Sequence, residues 1–209
     1  MTPEEFTVAL RKARASAILR VNDTDVARKA MEAAIRGGFH IIEFTMSIPH
    51  ALELVKEFSR RDGLVVGAGT ILSAGQVREA VKAGARFIVS PVVDEAVIKA
   101  AEELRVAVMP GAFTPLEMLR AHRAGAPLIK LFPAPSTGPA YVKQILGPFP
   151  EFKIVPTSGV DASNARAYLE AGCWAVGFVA SLFAAEDLAA GRYDAIEDRT
   201  RRFLRAVTP

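Results

Sequence analysis

Gly37-Gly38-Phe39-His40-Ile41-Ile42-Glu43-Phe44 is a small-residue turn that runs into a short apolar segment, and the chain repeats this arrangement three more times. The other copies are Ala83-Gly84-Ala85-Arg86-Phe87-Ile88-Val89-Ser90, Ala124-Gly125-Ala126-Pro127-Leu128-Ile129-Lys130-Leu131 and Ala171-Gly172-Cys173-Trp174-Ala175-Val176-Gly177-Phe178. Each follows an amphipathic helical pattern, and glycine suits a helix C-terminus because it accepts the left-handed conformation cheaply. The glycines at 38, 84, 125 and 172 lie 46, 41 and 47 residues apart. A compact strand–helix unit needs about half that length, so each interval holds two units. The missing strands fall at Leu64 to Gly67, Val106 to Pro110 and Ile154 to Pro156, and Ser16 to Val21 supplies the first, which makes eight.

Helices are readable between them at Pro49 to Arg60, Ser73 to Ala83, Asp94 to Leu104 and Pro115 to Ala124, with Ser, Thr, Asp or Pro at their starts as caps and first turns require. Alternating short strands and helices imply a parallel sheet with right-handed crossovers. Eight units favour closure, and no Gly-x-Gly-x-x-Gly follows the first strand as a dinucleotide fold would need. The expectation is an α/β protein, a single (β/α)8 barrel over residues 1–209 with an extra N-terminal helix within Met1 to Ala15. Phe132 to Pro150, rich in Pro and Gly, reads as a long active-site loop, and Asp194 to Val207 as a final amphipathic helix.

Composition narrows the function classes. With 51% hydrophobic residues the 209-residue chain can build a substantial core. The formal charge of +3 comes without a basic stripe interleaved with aromatics, so no nucleic-acid partner is expected. No run of about 18 apolar residues exists to span a membrane, and the N-terminal stretch lacks the unbroken apolar centre of a signal peptide. A lone cysteine, Cys173, fits a reducing compartment and hence a cytoplasmic protein.

In such a barrel, reactive groups sit at the C-terminal ends of strands. Three strands carry something costly there. Lys130 lies in Leu128-Ile129-Lys130-Leu131-Phe132-Pro133. A lysine in an apolar strand is expensive to bury charged, so its pKa falls and the neutral amine becomes a nucleophile toward a ketone. The bland alternative has Lys130 pointing outward past the helices. Glu43, in Ile41-Ile42-Glu43-Phe44-Thr45, is the matching candidate for proton transfer, or else half of a structural ion pair with Lys130 or Arg20. Arg20 ends the first strand, where its planar fork suits a substrate carboxylate or simply faces solvent. Gly67-Ala68-Gly69-Thr70 permits close approach of a ligand and offers the Thr70 hydroxyl. Thr157-Ser158-Gly159-Val160 follows the seventh strand and precedes a helix starting near Asn164, the usual place for a phosphate in this fold. His40, His50 and His122 lack metal-ligand spacing, and Cys173 reads as a small buried hydrophobe, so no metal site is expected.

Read together, Ile42-Glu43-Phe44-Thr45, Gly67-Ala68-Gly69-Thr70, Ile88-Val89-Ser90-Pro91, Met109-Pro110-Gly111, Lys130-Leu131-Phe132-Pro133-Ala134, Gly147-Pro148-Phe149-Pro150 and Val155-Pro156-Thr157-Ser158-Gly159-Val160 resemble the bacterial 2-keto-3-deoxy-6-phosphogluconate / 4-hydroxy-2-oxoglutarate aldolase family over essentially the whole chain. The resemblance implies a homotrimeric barrel aldolase of Entner–Doudoroff-type carbohydrate breakdown that needs no cofactor. Lys130 is then the Schiff-base lysine, Glu43 the proton-transfer residue and Thr70 a contact to the pyruvyl carboxylate. Pro91, Phe132, Thr157, Ser158, Gly159 and Gly177 complete the implied substrate site.

Two departures stand out. Where the best-known branch has a carboxylate-clamping arginine four residues after the glutamate, this chain has Ser47. Another branch is similar in using an arginine at the end of the first strand, which shifts that role to Arg20. The family's small-residue phosphate loop after the eighth strand is replaced by Gly177-Phe178-Val179-Ala180-Ser181, and bulky Phe178 and Val179 are expected to hinder backbone approach to a phosphate. The expected activity is reversible cleavage of a 4-hydroxy-2-oxo acid to pyruvate and an aldehyde. The rivals are a sugar-phosphate isomerase or epimerase barrel, which has no need of a nucleophilic lysine, and a barrel that only binds a metabolite.

Overall fold

A computed structural model describes residues 1–208. The strands are β1 (Ala15–Leu19), β2 (Ile41–Thr45), β3 (Val65–Gly69), β4 (Phe87–Ser90), β5 (Ala107–Ala112), β6 (Ile129–Leu131), β7 (Ile154–Pro156) and β8 (Val176–Phe178). The helices are α1 (Pro3–Ala13), α2 (Thr24–Arg36), α3 (Ala51–Phe58), α4 (Ala74–Ala83), α5 (Glu95–Glu103), α6 (Pro115–Arg123), α7 (Pro139–Leu146), α8 (Ala165–Glu170), α9 (Ala185–Ala190) and α10 (Tyr193–Val207). All strand pairs are parallel, in the order β7-β6-β5-β4-β3-β2-β1-β8. A bridge between Thr157 and Gly177, with Trp174 N donating to Ile154 O at 2.8 Å, joins the two ends into a barrel.

The repeat that predicted this architecture has the backbone it requires: Gly38, Gly84, Gly125 and Gly172 all have positive φ, between 93° and 118°. Local signals agree. Asp23, Ser73, Asp94 and Thr114 accept hydrogen bonds from the first turns of α2, α4, α5 and α6, and Thr114 with Glu117 forms a capping box.

Strand alternation sorts the core into two layers. Leu19, Ile42, Phe44, Val66, Ile88, Ile129 and Phe178 face the helices and form the larger cluster. Ile41, Phe87, Val89, Ala107, Met109, Leu128, Val155 and Ala175 face inward, and α1 closes the N-terminal end of the barrel by pressing Phe6 and Leu10 onto them. The Phe6 ring stacks on Phe87 with centroids 4.4 Å apart. Arg11 holds α1 in place by donating to Cys173 O at 2.8 Å, and Trp174 Nε1 donates to Thr7 O at 2.8 Å.

Three expectations need correction. The third and fifth strands run two residues further than Gly67 and Pro110, to Gly69 and Ala112, because glycine and proline at these C-terminal ends lie within the ladder instead of ending it. The first strand stops at Leu19, short of Val21. The segment 132–150 is not loop throughout: Pro139 opens α7 in the first-turn position where its missing N–H costs nothing, so part of the Pro/Gly content is a helix start.

Candidate active site

Glu43 lies two residues beyond Ile41 on β2, and Lys130 two residues beyond Leu128 on the sixth strand segment. Period-two alternation therefore turns both side chains inward, above the apolar inner layer. Lys130 is 5% exposed and Glu43 1%, which removes the outward reading of Lys130. Burial drives the Lys130 ammonium below its ordinary pKa, with Arg20 adding to the fall and Glu43 opposing it. Burial likewise raises the Glu43 carboxyl, against the opposing pull of Lys130 and Arg20. Neither carboxyl oxygen of Glu43 is hydrogen-bonded to another protein group. A buried carboxyl left without partners is costly, so its place in the fold is not explained by stability. The Lys130 amine stands 4.7 Å from the centre of the half-buried Phe132 ring.

Of the remaining predicted residues, Arg20 lies within electrostatic reach of both members of this pair. Arg20 follows β1 directly, is exposed at the rim and donates to Thr70 Oγ1 at 3.4 Å. Thr70 itself is held at φ 59°, a conformation uncommon for a β-branched residue and of the kind that functional loops retain. Ser47 is exposed just past β2, and its hydroxyl lies 2.9 Å from Thr45 Oγ1. Pro91 continues from β4, and its backbone occupies the space that a side chain on Gly111 would fill. Thr157 is fully buried with Oγ1 unpartnered, while Ser158, at φ 61°, and Gly159 are exposed. Ala134 N donates to both Thr157 O and Ser158 O at 3.0 Å, tying this loop to the segment after β6. Ser181 Oγ donates to Val160 O at 2.6 Å, joining the loops after β7 and β8. Gly177 leaves room for its neighbours: a Cβ there would stand 2.5 Å from Thr157 Cγ2 and 2.7 Å from Ile18 Cδ1.

Phe178 does not do what the sequence led us to expect. Its ring points out into the helix layer, fully buried, with centroids 4.6 Å from Phe203 and 6.2 Å from Phe39. Its bulk is therefore absent from the eighth loop, and the steric objection to an anionic tail rests on half-buried Val179 alone.

Two residues next to Glu43 were given no individual role from the sequence. Thr45 is 1% exposed, inward by the same alternation as Glu43 and bonded to Ser47, so an i, i+2 count from Glu43 was the available signal. Gly69 lies directly under the Glu43 carboxyl. No pattern in the sequence distinguishes it from Gly67. Among the described residues no three His, Cys, Asp or Glu side chains are grouped to share a metal ion. The Cys173 thiol is pushed up to about 12 by burial, which makes it a poor nucleophile. A cavity of about 440 Å³ lies at the other end of the molecule, between the start of α1, the end of α5 and the beginning of β5, with Thr2, Glu4, Glu102 and Arg105 among its lining residues.

Comparison with known proteins agrees with this geometry. The family model described as "KDPG and KHG aldolase" matches residues 7–199. The 2-dehydro-3-deoxy-phosphogluconate aldolase of Pseudomonas aeruginosa is 35% identical over 162 residues, 76% of this chain and 73% of that protein. The KHG/KDPG aldolase of Escherichia coli is 32% identical over 179 residues, 81% of each chain. The KDPG aldolase from Legionella pneumophila, solved with pyruvate captured as a covalent carbinolamine intermediate, superposes with a TM-score of 0.83 at 26% identity, over 93% of this chain and 96% of that one. With a buried lysine and carboxyl facing one another's charge inside an eight-stranded parallel barrel, and a family model spanning nearly its full length, the chain belongs to the KDPG and KHG aldolase family of carbon–carbon lyases.

Proposed function

We propose that the protein reversibly cleaves 4-hydroxy-2-oxo acids to pyruvate and an aldehyde through a Schiff base on Lys130. The observation that carries this reading is Lys130 itself, 5% exposed inside the barrel and held toward its neutral form by burial. The neutral amine adds to the C2 ketone, and loss of water from the carbinolamine gives an iminium. Glu43, through a water, takes the C4 hydroxyl proton. The C3–C4 bonding electrons then flow into the iminium, leaving an enamine and releasing the aldehyde. Protonation of the enamine at C3 by the acid form of Glu43 and hydrolysis of the iminium release pyruvate and restore Lys130. The iminium is the electron sink, so the chemistry asks for no metal or organic cofactor. A raised carboxyl pKa suits a group that both accepts and returns a proton near neutrality.

Arg20 and Thr70, already bonded to each other, are the clamp for the pyruvyl carboxylate, with Ser47 where other members carry an arginine. Pro91, Phe132 and Gly177 shape the pocket, and Thr157, Ser158 and Gly159 face the tail of the substrate. That tail is the phosphorylated chain of 2-dehydro-3-deoxy-6-phosphogluconate, the carboxylate of 4-hydroxy-2-oxoglutarate, or both; the aldehyde product is glyceraldehyde 3-phosphate or glyoxylate. The protein works as a cytoplasmic homotrimer, in Entner–Doudoroff-type breakdown of sugar acids. Self-association is supported by Leu72, Val92, Phe113 and Leu116, each 40–58% exposed and following three consecutive strands.

Pyruvate release from the two substrates tests this. No lysine or arginine lies in the segments 157–160 or 177–181 to meet a phosphate dianion. Discrimination is therefore expected below about 100-fold in kcat/KM, roughly 2.7 kcal/mol. Release from neither substrate by the purified chain, or release undiminished in Lys130→Ala, would refute the proposed activity.

A further inference from the structure

The third strand contributes no side chain to the upper half of the barrel interior, because its two inward positions there are Gly67 and Gly69. Their empty places are filled from the neighbouring strands. The Phe87 ring of β4 lies over Gly67, where a Cβ would come within 2.5 Å of ring carbon Cε1. The Glu43 side chain of β2 lies over Gly69: the three atoms nearest a Cβ there are Glu43 Oε1, Cδ at 2.6 Å and Cγ at 3.0 Å. In register Glu43 pairs with Gly67 and Thr45 with Gly69. The glutamate therefore leans one inward position up the barrel, away from the ring over Gly67 and toward the C-terminal mouth, and it can do so only across a bare backbone.

We propose that Gly69 is a positioning residue for the aldolase reaction: its missing side chain is the groove that holds the Glu43 carboxyl at the height of the Schiff base on Lys130. The proposal rests on the roles given above to Lys130 and Glu43. Two further observations separate this from a need for glycine flexibility or packing. Gly69 has no positive φ, so alanine can adopt its backbone conformation without strain. The nearest obstacles are all atoms of one side chain, reaching out to its carboxyl end, so a methyl group is accommodated by swinging Glu43 aside and not by displacing the barrel wall. The expected Gly69→Ala protein is folded, has an intact Lys130, and has its carboxyl out of place.

The test compares two readouts in the full chain: borohydride trapping of pyruvate on Lys130, which reports iminium formation, and exchange of the pyruvate methyl protons for deuterium, which reports proton transfer at C3. In Gly69→Ala, trapping should stay within a few-fold of the parent while methyl exchange and cleavage fall by about 100-fold or more, the scale of positioned acid–base help. The double variant Glu43→Gln/Gly69→Ala should exchange no more slowly than Glu43→Gln alone, because the glycine acts only through the carboxyl. The limb of the pH–rate profile that reports Glu43 should move in Gly69→Ala. Parent-like exchange in Gly69→Ala, equal losses of trapping and exchange, or multiplying losses in the double variant would each overturn the proposal while leaving the Schiff-base reading intact. Absence of trapping in the parent overturns that reading, and the proposal with it.

Discussion

Ile41 and Glu43 stand two residues apart on the inward face of β2, and Leu128 and Lys130 stand in the same relation at β6. The lower member of each pair packs into an apolar plug with Phe87, Ala175 and the α1 side chains Phe6 and Leu10. The upper member is ionisable, buried and, for Glu43, without a hydrogen bond from another protein group. One end of the barrel interior is thus built for stability, with large side chains each contributing about 1.5–3 kcal/mol by burial. The other end, one strand position higher, carries the cost of desolvating a carboxyl and an amine, which on the roles proposed for them suits their protonation states to chemistry. The difference is between neighbouring layers of one core, and substitutions should affect stability and activity in opposite proportion across it.

The lower layer supplies the largest expected effect. Phe87→Ala removes the ring stacked on Phe6 and should cost about 3–5 kcal/mol of unfolding free energy in denaturant titration. A loss under about 1 kcal/mol would show that the plug is not what closes the barrel.

Glu43→Gln breaks the comparison from the other side. Cleavage should fall by about 100-fold or more, while stability should not fall with it. The sign follows from the raised pKa: a carboxyl that holds its proton more tightly when folded contributes stability that is present below 4.5 and lost as pH rises through the folded value. Glutamine has no such loss, so the melting temperature of Glu43→Gln should overtake that of the parent increasingly as pH rises above 4.5. A variant that is less stable than the parent at neutral pH would mean that Glu43 is a structural ion-pair partner after all.

The rim should give the smallest change. Arg20 is exposed and holds Thr70 by a single 3.4 Å hydrogen bond, so Arg20→Ala should leave stability nearly unchanged. The pyruvate concentration for half-maximal trapping should nonetheless rise by the equivalent of about 1.5–3 kcal/mol, the worth of hydrogen bonds to a charged group. An unchanged value would hand the clamp to Thr70, Ser47 and backbone donors.

The two layers were not equally legible in the sequence. Glycines at a steady interval, caps at Ser73, Asp94 and Thr114, and apolar runs between them carry the barrel, because helix ends and strand burial are local demands that each residue type records. Lys130 and Glu43 stood out for the opposite reason: they contradict the apolar strands around them. Legibility failed where meaning depends on a neighbouring strand. The role proposed for Gly69 comes from what β2 lays across it, and Phe178, the bulky residue expected in the eighth loop, turns instead toward Phe39 and Phe203. The boundaries of β3 and β5 slipped for the same reason: glycine reads as a turn in one dimension, but within the ladder it makes room for Glu43 or for the backbone of Pro91.

The central claim is that the upper layer holds a nucleophilic amine at Lys130. Incubating the full chain with pyruvate and borohydride, followed by intact-mass measurement and peptide mapping, tests it directly. The account predicts one reduced pyruvyl adduct, on Lys130 and on no other lysine, absent in Lys130→Ala and retained in Glu43→Gln. An unchanged mass, or an adduct carried by a surface lysine with Lys130 unmodified, would contradict it.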